Sequence, residues 1–331
     1  MISTMKLKLY ILIAFAGLFV SSCSNEPDDI FGSTATERIE EALADFRFAL
    51  RAREKWVMEY FPAYDQDYGG WIYIVEFRPD NTVKAWFEGS TFAGDEVPVV
   101  ESDYEVKFST GPMLTFNTFN TYLHYFGYPG VNGGYQGYEG DHEFFLMSRS
   151  DNYDEIIMTG MKTGNRIRMT PLPDIYTPEE YLSIVRDCQK TNKNTTMKVL
   201  ANGKEVAVIS RENIYSEDSF GTCYRSKVWT ISYRCRIKST DAQGNNIIGE
   251  DGKPVYENVA VKDILSTISF PDDSMRLYEP YVFKGDVLAD DETIDIVNGQ
   301  PMQFFERIHG ATPASDYYIC TDSFIDFRLV P

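Results

Sequence analysis

The chain has 331 residues, a formal charge of −19 and 15% aromatic residues, including 22 Tyr and 22 Phe. So negative a field opposes binding to nucleic-acid phosphates and anionic lipid surfaces, and so many flat rings suit pleated strands better than an all-helical fold. The length exceeds that of one ordinary domain, so two are expected.

The first 22 residues carry the three parts of an export signal in order: basic Lys6 and Lys8, an apolar run from Leu9 to Val20, and small Ser21 and Ser22 before Cys23. That run is 12 residues long, whereas a spanning helix needs roughly 20. Val20-Ser21-Ser22-Cys23 resembles the lipobox of bacterial lipoproteins, which implies cleavage before Cys23, lipid on its sulfur and attachment to a membrane through that lipid. Residues 23–33, which include Ser24-Asn25-Glu26-Pro27-Asp28-Asp29, read as a flexible solvated tether. Four further cysteines, Cys188, Cys223, Cys235 and Cys320, permit three disulfide pairings, but no Cys-x-x-Cys occurs and buried thiols are the expected state.

Ser33, Thr34 and Thr36 are all possible N-caps for a first helix, with Thr36 favoured, Glu37 in its first turn and an apolar stripe of Ile39, Leu43, Phe46 and Leu50. From Trp56 to Leu172 the period changes to two. Trp71–Phe77, Val83–Phe87, Tyr104–Phe108, Met113–Phe119, Glu143–Met147, Glu155–Thr159 and Arg166–Thr170 read as strands, and Arg78-Pro79-Asp80-Asn81 as a hairpin turn. Pro171-Leu172-Pro173 interrupts both kinds of regular structure and divides residues 34–172 from residues 173–331. Thr177-Pro178-Glu179-Glu180 is a capping-box signature for a second helix, about Pro178 to Lys190. Strands then follow at Val206–Ile209, Val228–Ile237, Val255–Val261, Ser266–Phe270, Tyr281–Phe283, Thr293–Val297 and Phe324–Val330. The expected fold is mainly β: two lipocalin-like barrel or sandwich halves, each preceded by one α-helix.

None of His124, His142 and His309 lies in a motif that sets a base beside a nucleophile, so no catalytic residue is assigned and a non-enzymatic role is expected. Asp141-His142-Glu143 groups three metal-ligand types, but adjacent strand residues face opposite ways, so no metal or cofactor is assigned. Asp151–Glu155 and Asp241–Asn246 have the composition of calcium loops without their spacing, and read as turns. The acidic run Asp286, Asp290, Asp291, Glu292 and Asp295 reads as a solvated hairpin. The most unusual segment is Tyr122 to Pro129, followed by a glycine-rich stretch carrying Tyr135 and Tyr138. Tyr122, Tyr125, Tyr128, Tyr135 and Tyr138 are candidate ligand contacts, since tyrosine faces stack on sugar rings. The competing reading is that Leu123, Tyr125 and Phe126 close the mouth of the first barrel.

The lipobox at Cys23, Asp28-Asp29-Ile30-Phe31, Trp56-Val57-Met58-Glu59-Tyr60-Phe61-Pro62, Tyr68-Gly69-Gly70-Trp71, Lys162-Thr163-Gly164-Asn165 and Met275-Arg276-Leu277-Tyr278-Glu279-Pro280 together resemble a domain-of-unknown-function family of Bacteroidota lipoproteins. Members are commonly encoded beside starch-utilisation-type outer-membrane transporters and their surface-binding lipoproteins. The resemblance implies a lipid-anchored outer-membrane protein facing the cell exterior that binds a glycan, peptide or other nutrient. The alternative is a structural or assembly subunit of the uptake complex with no ligand of its own. The resemblance carries over no catalytic residue.

Overall fold

The computed structural model describes residues 33–65, 67–89, 98–129, 134–191, 194–211, 227–289 and 292–331. The export signal, Cys23 and Cys223 lie outside them. Two contact units are distinguished, Met1–Asp45 and Phe46–Pro331. In the first, helix α1 (Ala35–Arg51) begins. Its cap is Thr34, not the expected Thr36: Thr34 Oγ1 accepts the Glu37 N–H at 3.2 Å while the Glu37 carboxylate accepts the Thr34 N–H at 2.7 Å. Thr34 lies three residues before Glu37, the spacing this reciprocal bond requires, and Thr36 does not.

In the second unit, β1 (Trp56–Phe61), β2 (Trp71–Phe77), β3 (Thr82–Phe87), β4 (Val100–Asp103), β5 (Glu105–Phe108), β6 (Pro112–Thr115), β7 (Glu143–Arg149), β8 (Ile156–Gly160) and β9 (Arg166–Pro171) form one antiparallel meander. β9 returns to β1. β4 pairs with β3 and β5 with β6, yet only Tyr104 separates β4 from β5. One chain segment therefore serves both ends of the sheet and curls it into a nearly closed barrel. Tyr104 is buried at that corner, its hydroxyl donating to the Arg78 carbonyl at 3.1 Å and accepting from Arg51 Nε at 2.9 Å.

Helix α2 (Pro178–Thr191) has the expected capping box, with Thr177 Oγ1 accepting from Glu180 N at 3.2 Å and Glu180 accepting from Thr177 N at 2.9 Å. The second sheet comprises β10 (Thr196–Ala201), β11 (Lys204–Arg211), β12 (Val228–Lys238), β13 (Tyr256–Ser269), β14 (Ser274–Val282), β15 (Asp286–Ala289), β16 (Glu292–Thr293), β17 (Pro301–Ile308), β18 (Tyr317–Cys320) and β19 (Phe327–Val330). β10 pairs with β19 and β11 with β12, so the same helix-then-meander plan closes a second barrel, with β15 and β16 added as a hairpin beside β12. That hairpin carries Asp286 and Glu292 of the acidic run, whose Asp290 and Asp291 lie outside the described residues. The two short runs expected at 255–261 and 266–270 are one strand, β13: its outer half pairs with β12, Lys262 is exposed, and Asp263 accepts from the Tyr281 hydroxyl at 2.8 Å and from Lys284 Nζ at 2.7 Å, so the chain does not break between the two runs. The expected run Thr293–Val297 ends instead in a short 3-10 turn at Asp295–Val297.

The two barrels share a core. Tyr181, Leu182 and Val185 of α2 pack with Val57, Phe61, Ile72, Ile74 and Trp86 of the first barrel and Ile268 of the second. Gly70 donates its N–H to the Thr267 carbonyl at 3.0 Å, and a Cβ there would come within 2.6 Å of the Phe61 ring and 2.7 Å of the Ile268 Cβ. Gly69, at φ +68°, lies against Lys227 in the same way. Two buried ion pairs cross the same junction: Glu59 of β1 with Arg276 of β14, and Glu88, just after β3, with Lys227, just before β12. Tyr278 adds an edge-on contact with Phe61 at 4.8 Å.

Candidate functional site

In the first barrel Met58, Tyr60, Tyr73, Phe116, Leu123, Phe144 and Ile167 surround a cavity of about 10 Å³, at the lower limit of what holds one water. The interior is filled, and no organic ligand fits there. Tyr60 donates to Asn165 Oδ1 at 2.8 Å and Tyr73 to the Tyr122 carbonyl at 3.0 Å. Burial drives both phenols well above their ordinary pKa, so they remain protonated.

The plug at this mouth begins at Asn120, fully buried, whose Oδ1 accepts the backbone N–H groups of Tyr122 and Leu123 at 3.0 and 3.2 Å. This Asx turn leads into a 3-10 turn, Tyr125–Gly127, that drives Leu123 and Phe126 into the barrel. The glycine-rich return docks on the plug: Tyr138 and Gly140 donate to the Phe126 carbonyl at 2.8 and 3.0 Å. A Cβ on Gly140 would lie 2.4 Å from the Phe126 Cβ, so this glycine serves close packing.

These contacts divide the five tyrosines. Tyr138 is 5% exposed, set edge-on to Tyr68 at 4.9 Å and stacked on Tyr125 at 6.0 Å. Tyr122 and Tyr125 are half-buried against Phe87 at 5.9 and 6.1 Å. Tyr128 and Tyr135 remain open, at 52% and 90%. The plug reading thus holds for Leu123 and Phe126, and a sugar can reach the faces of only part of the tyrosine set.

The structure adds Phe119, 60% exposed, with its ring 5.9 Å from Tyr128 and 5.4 Å from His124. His124 in turn stacks on His142 at 5.1 Å. Phe119, His124 and Tyr128 therefore form an aromatic rim. Burial lowers the His124 pKa, with the neighbouring His142 adding to it, so the imidazole is neutral at neutral pH and the rim presents rings without charge. Phe119 escaped the sequence reading because the strand expected to reach it stops at Thr115. The flanking turn-formers Asn117 and Asn120 were the available signal.

Asp141, His142 and Glu143 do not converge. Asp141 accepts the backbone N–H of Thr163 at 2.8 Å and its hydroxyl at 2.9 Å, capping the Lys162-Thr163-Gly164-Asn165 turn. Glu143 instead pairs with Lys107 at 2.8 Å. Among the described residues no group of three or more His, Cys, Asp or Glu is placed to hold a metal ion. His309 contacts Asp273 at 2.8 Å near Cys188, but burial, aided by a hydrogen bond to Asp273, pushes that thiol up to about 12, and it carries no thiolate at neutral pH. Cys188 is half-buried, whereas Cys235 and Cys320 are buried thiols whose pKa burial also raises.

A family model described as a domain of unknown function, DUF4302, matches residues 27–290. Neither the curated proteins nor the solved structures yield a match.

Proposed function

This chain belongs to the DUF4302 family, and we propose that it is a non-catalytic lipoprotein, anchored through Cys23 to the outer membrane and facing the cell exterior, that holds a glycan for a neighbouring uptake system. The observation that carries the binding reading is the uncharged rim of Phe119, His124 and Tyr128 beside a filled barrel. Sugar rings have apolar faces that stack on such rings, and a glycan needs no enclosed cavity. The alternative, an assembly subunit without a ligand, is served equally by the two-barrel body but leaves the exposed rim without a role.

Labelled oligosaccharides titrated against the full chain in detergent should bind, and Phe119→Ala and Tyr128→Ala should each weaken binding about tenfold, equivalent to about 1.4 kcal/mol. Tyr138→Phe should leave affinity unchanged, because that side chain is buried. Equal affinity in all three variants removes the rim as the site. Tight co-purification with a transporter, without any oligosaccharide binding, favours the assembly subunit.

For the anchor, Cys23→Ala should abolish incorporation of radioactive fatty acid and release the protein from the membrane fraction. Unchanged labelling and partition of that variant would overturn the lipoprotein reading.

A further inference from the structure

Strand β13 is paired along its whole length on one side and only at one end on the other. Eleven register pairs, Val228 with Ser266 to Lys238 with Tyr256, join it to β12, whereas β14 pairs with it only at Thr267–Ser269. At the two ends of the β12 ladder, Thr267 donates its N–H to the Lys227 carbonyl and Ser239 donates its N–H to the Val255 carbonyl. Odd-numbered residues of β13 therefore bond to β12. Backbone groups of successive strand residues point to opposite sides, so those of Tyr256, Asn258, Ala260 and Lys262 point away from β12. Among the described residues no strand pairs with that side of residues 256–262, and four N–H and four C=O groups line an open edge.

Edges are commonly blunted by shortness, a bulge or a proline. β13 has fourteen residues, its register with β12 is unbroken, and no proline lies within it. Tyr256, Asn258, Ala260 and Lys262 are all exposed on one face, while Val259 and Val261 on the other pack against the core of the second barrel.

We propose that this edge pairs with the same edge of a second copy of the chain, antiparallel about a two-fold axis. Backbone direction and charge choose the register. An axis through Val259 sets Tyr256 opposite Lys262 and Asn258 opposite Ala260, so all four open residues bond to one another and none beyond them is needed. An axis through Ala260 would instead set Glu257 opposite Asp263, a like-charged pair. In the favoured register Lys262 of each copy meets the ring of Tyr256 in the other, a ring that Arg236 of its own copy already approaches at 4.8 Å. Glu257 faces Val261, and Asp263, diagonal to it, is already answered by Lys284 at 2.7 Å. The charge of −19 opposes self-association in general, but at physiological salt charges more than about 8 Å apart are largely screened. The edge is thus its own complement. It uses none of the rim residues, so its failure would leave the glycan reading intact.

Amide hydrogen exchange on the full chain in detergent, at physiological salt, should show protection of residues 256–262 that rises with protein concentration, in step with a monomer–dimer equilibrium in sedimentation. Ala260→Pro removes an N–H that faces the open edge and no bond of the β12 ladder, a placement that edge strands accept. It should weaken the dimer about tenfold or more and leave urea unfolding unchanged, which separates strand pairing from two chains sharing a micelle. Tyr256→Lys sets two cations face to face twice in each dimer and should weaken it about tenfold as well. Tyr256→Glu answers Lys262 with a carboxylate and should preserve it. These two changes at an exposed position keep the test open if Ala260→Pro does not fold. A chain that stays monomeric at every concentration, or a dimer indifferent to Tyr256→Lys, would overturn the proposal. Protection of the edge only by an added valine-threonine peptide would overturn it too, assigning the edge to a foreign strand.

Discussion

Replacing Glu59 by alanine should cost the protein about 3–5 kcal/mol, because it strands a buried guanidinium at the junction of the two barrels. Glu59 is 2% exposed and sits between Arg168 of its own barrel, at 3.0 Å, and Arg276 of the other. Arg168 has a second carboxylate, Glu155, at 2.7 Å and reaches solvent. Arg276 has no comparable escape: Phe61 and Phe304 flank it, and its Nε already lacks a hydrogen-bond partner. Burial lowers its pKa to about 10, so it still carries its charge at neutral pH. Urea unfolding followed by tryptophan emission reports both barrels, since Trp56, Trp71 and Trp86 lie in the first and Trp229 in the second. The midpoint should fall with little change in slope. Adding Arg276→Met to Glu59→Ala should recover part of the loss, because the pair is removed with no charge left behind. A loss below about 1 kcal/mol in the single variant would mean that water reaches the junction.

Lys227→Met should be nearly as costly at neutral pH, about 3–5 kcal/mol, and its cost should depend on pH. The Lys227 ammonium pairs with Glu88, donates to the Gly70 carbonyl at 2.9 Å and lies 4.6 Å from the Trp71 ring centre. Burial raises the Glu88 pKa above its ordinary 4.5, and Lys227 is the main influence holding it down. A carboxyl with a raised folded-state pKa contributes its full stability below its unfolded value and loses it as pH rises through the folded one. Without Lys227 the folded pKa climbs further and the penalty at neutral pH grows. The destabilisation at pH 7 should therefore shrink as pH is lowered toward 4.5, where Glu88 enters the fold as a neutral acid. Equal losses at pH 7 and pH 5 would show that Lys227 acts through packing alone.

Both predictions bear on motifs that were legible in the chain: Glu59 and Arg276 lie in two of them, and Lys227 packs on Gly70 and Trp71 of a third. Tyr68-Gly69-Gly70-Trp71 places two glycines where the second barrel approaches too closely for a Cβ. Met275-Arg276-Leu277-Tyr278-Glu279-Pro280 supplies Arg276 to Glu59, and Glu279 to Arg166 at 3.2 Å. Lys162-Thr163-Gly164-Asn165 closes a buried polar network in which the Asn165 Oδ1 accepts both the Tyr60 hydroxyl and the Asp141 N–H. Among the described residues of these motifs, Glu59, Gly69, Gly70, Arg276 and Glu279 hold the two barrels together, and such residues mark a fold more readily than an activity.

Strand β1 shows where periodicity stops being informative. All six of its residues are buried, because one face fills the first barrel while the other meets the shared core, so no polar alternation marks it. Thr196–Ala201, Pro301–Ile308 and Tyr317–Cys320 also escaped the reading, although their burial alternates and the turn-formers Asn202-Gly203 and Asn298-Gly299 flank the first two.

Local chemistry is sufficient for features whose causes lie within a few residues: the capping box at Thr177, the period-two runs, the break at Pro171-Leu172-Pro173, and the repeated helix-then-strand order. Sheet closure at Tyr104, the filled interior beneath Leu123, the ion pairs at Glu59 and Glu88, and the rim formed with Phe119 each join residues far apart in the chain. Their positions depend on which strand edges meet and which side chains are desolvated together, and such long-range pairings leave no periodic trace along the chain.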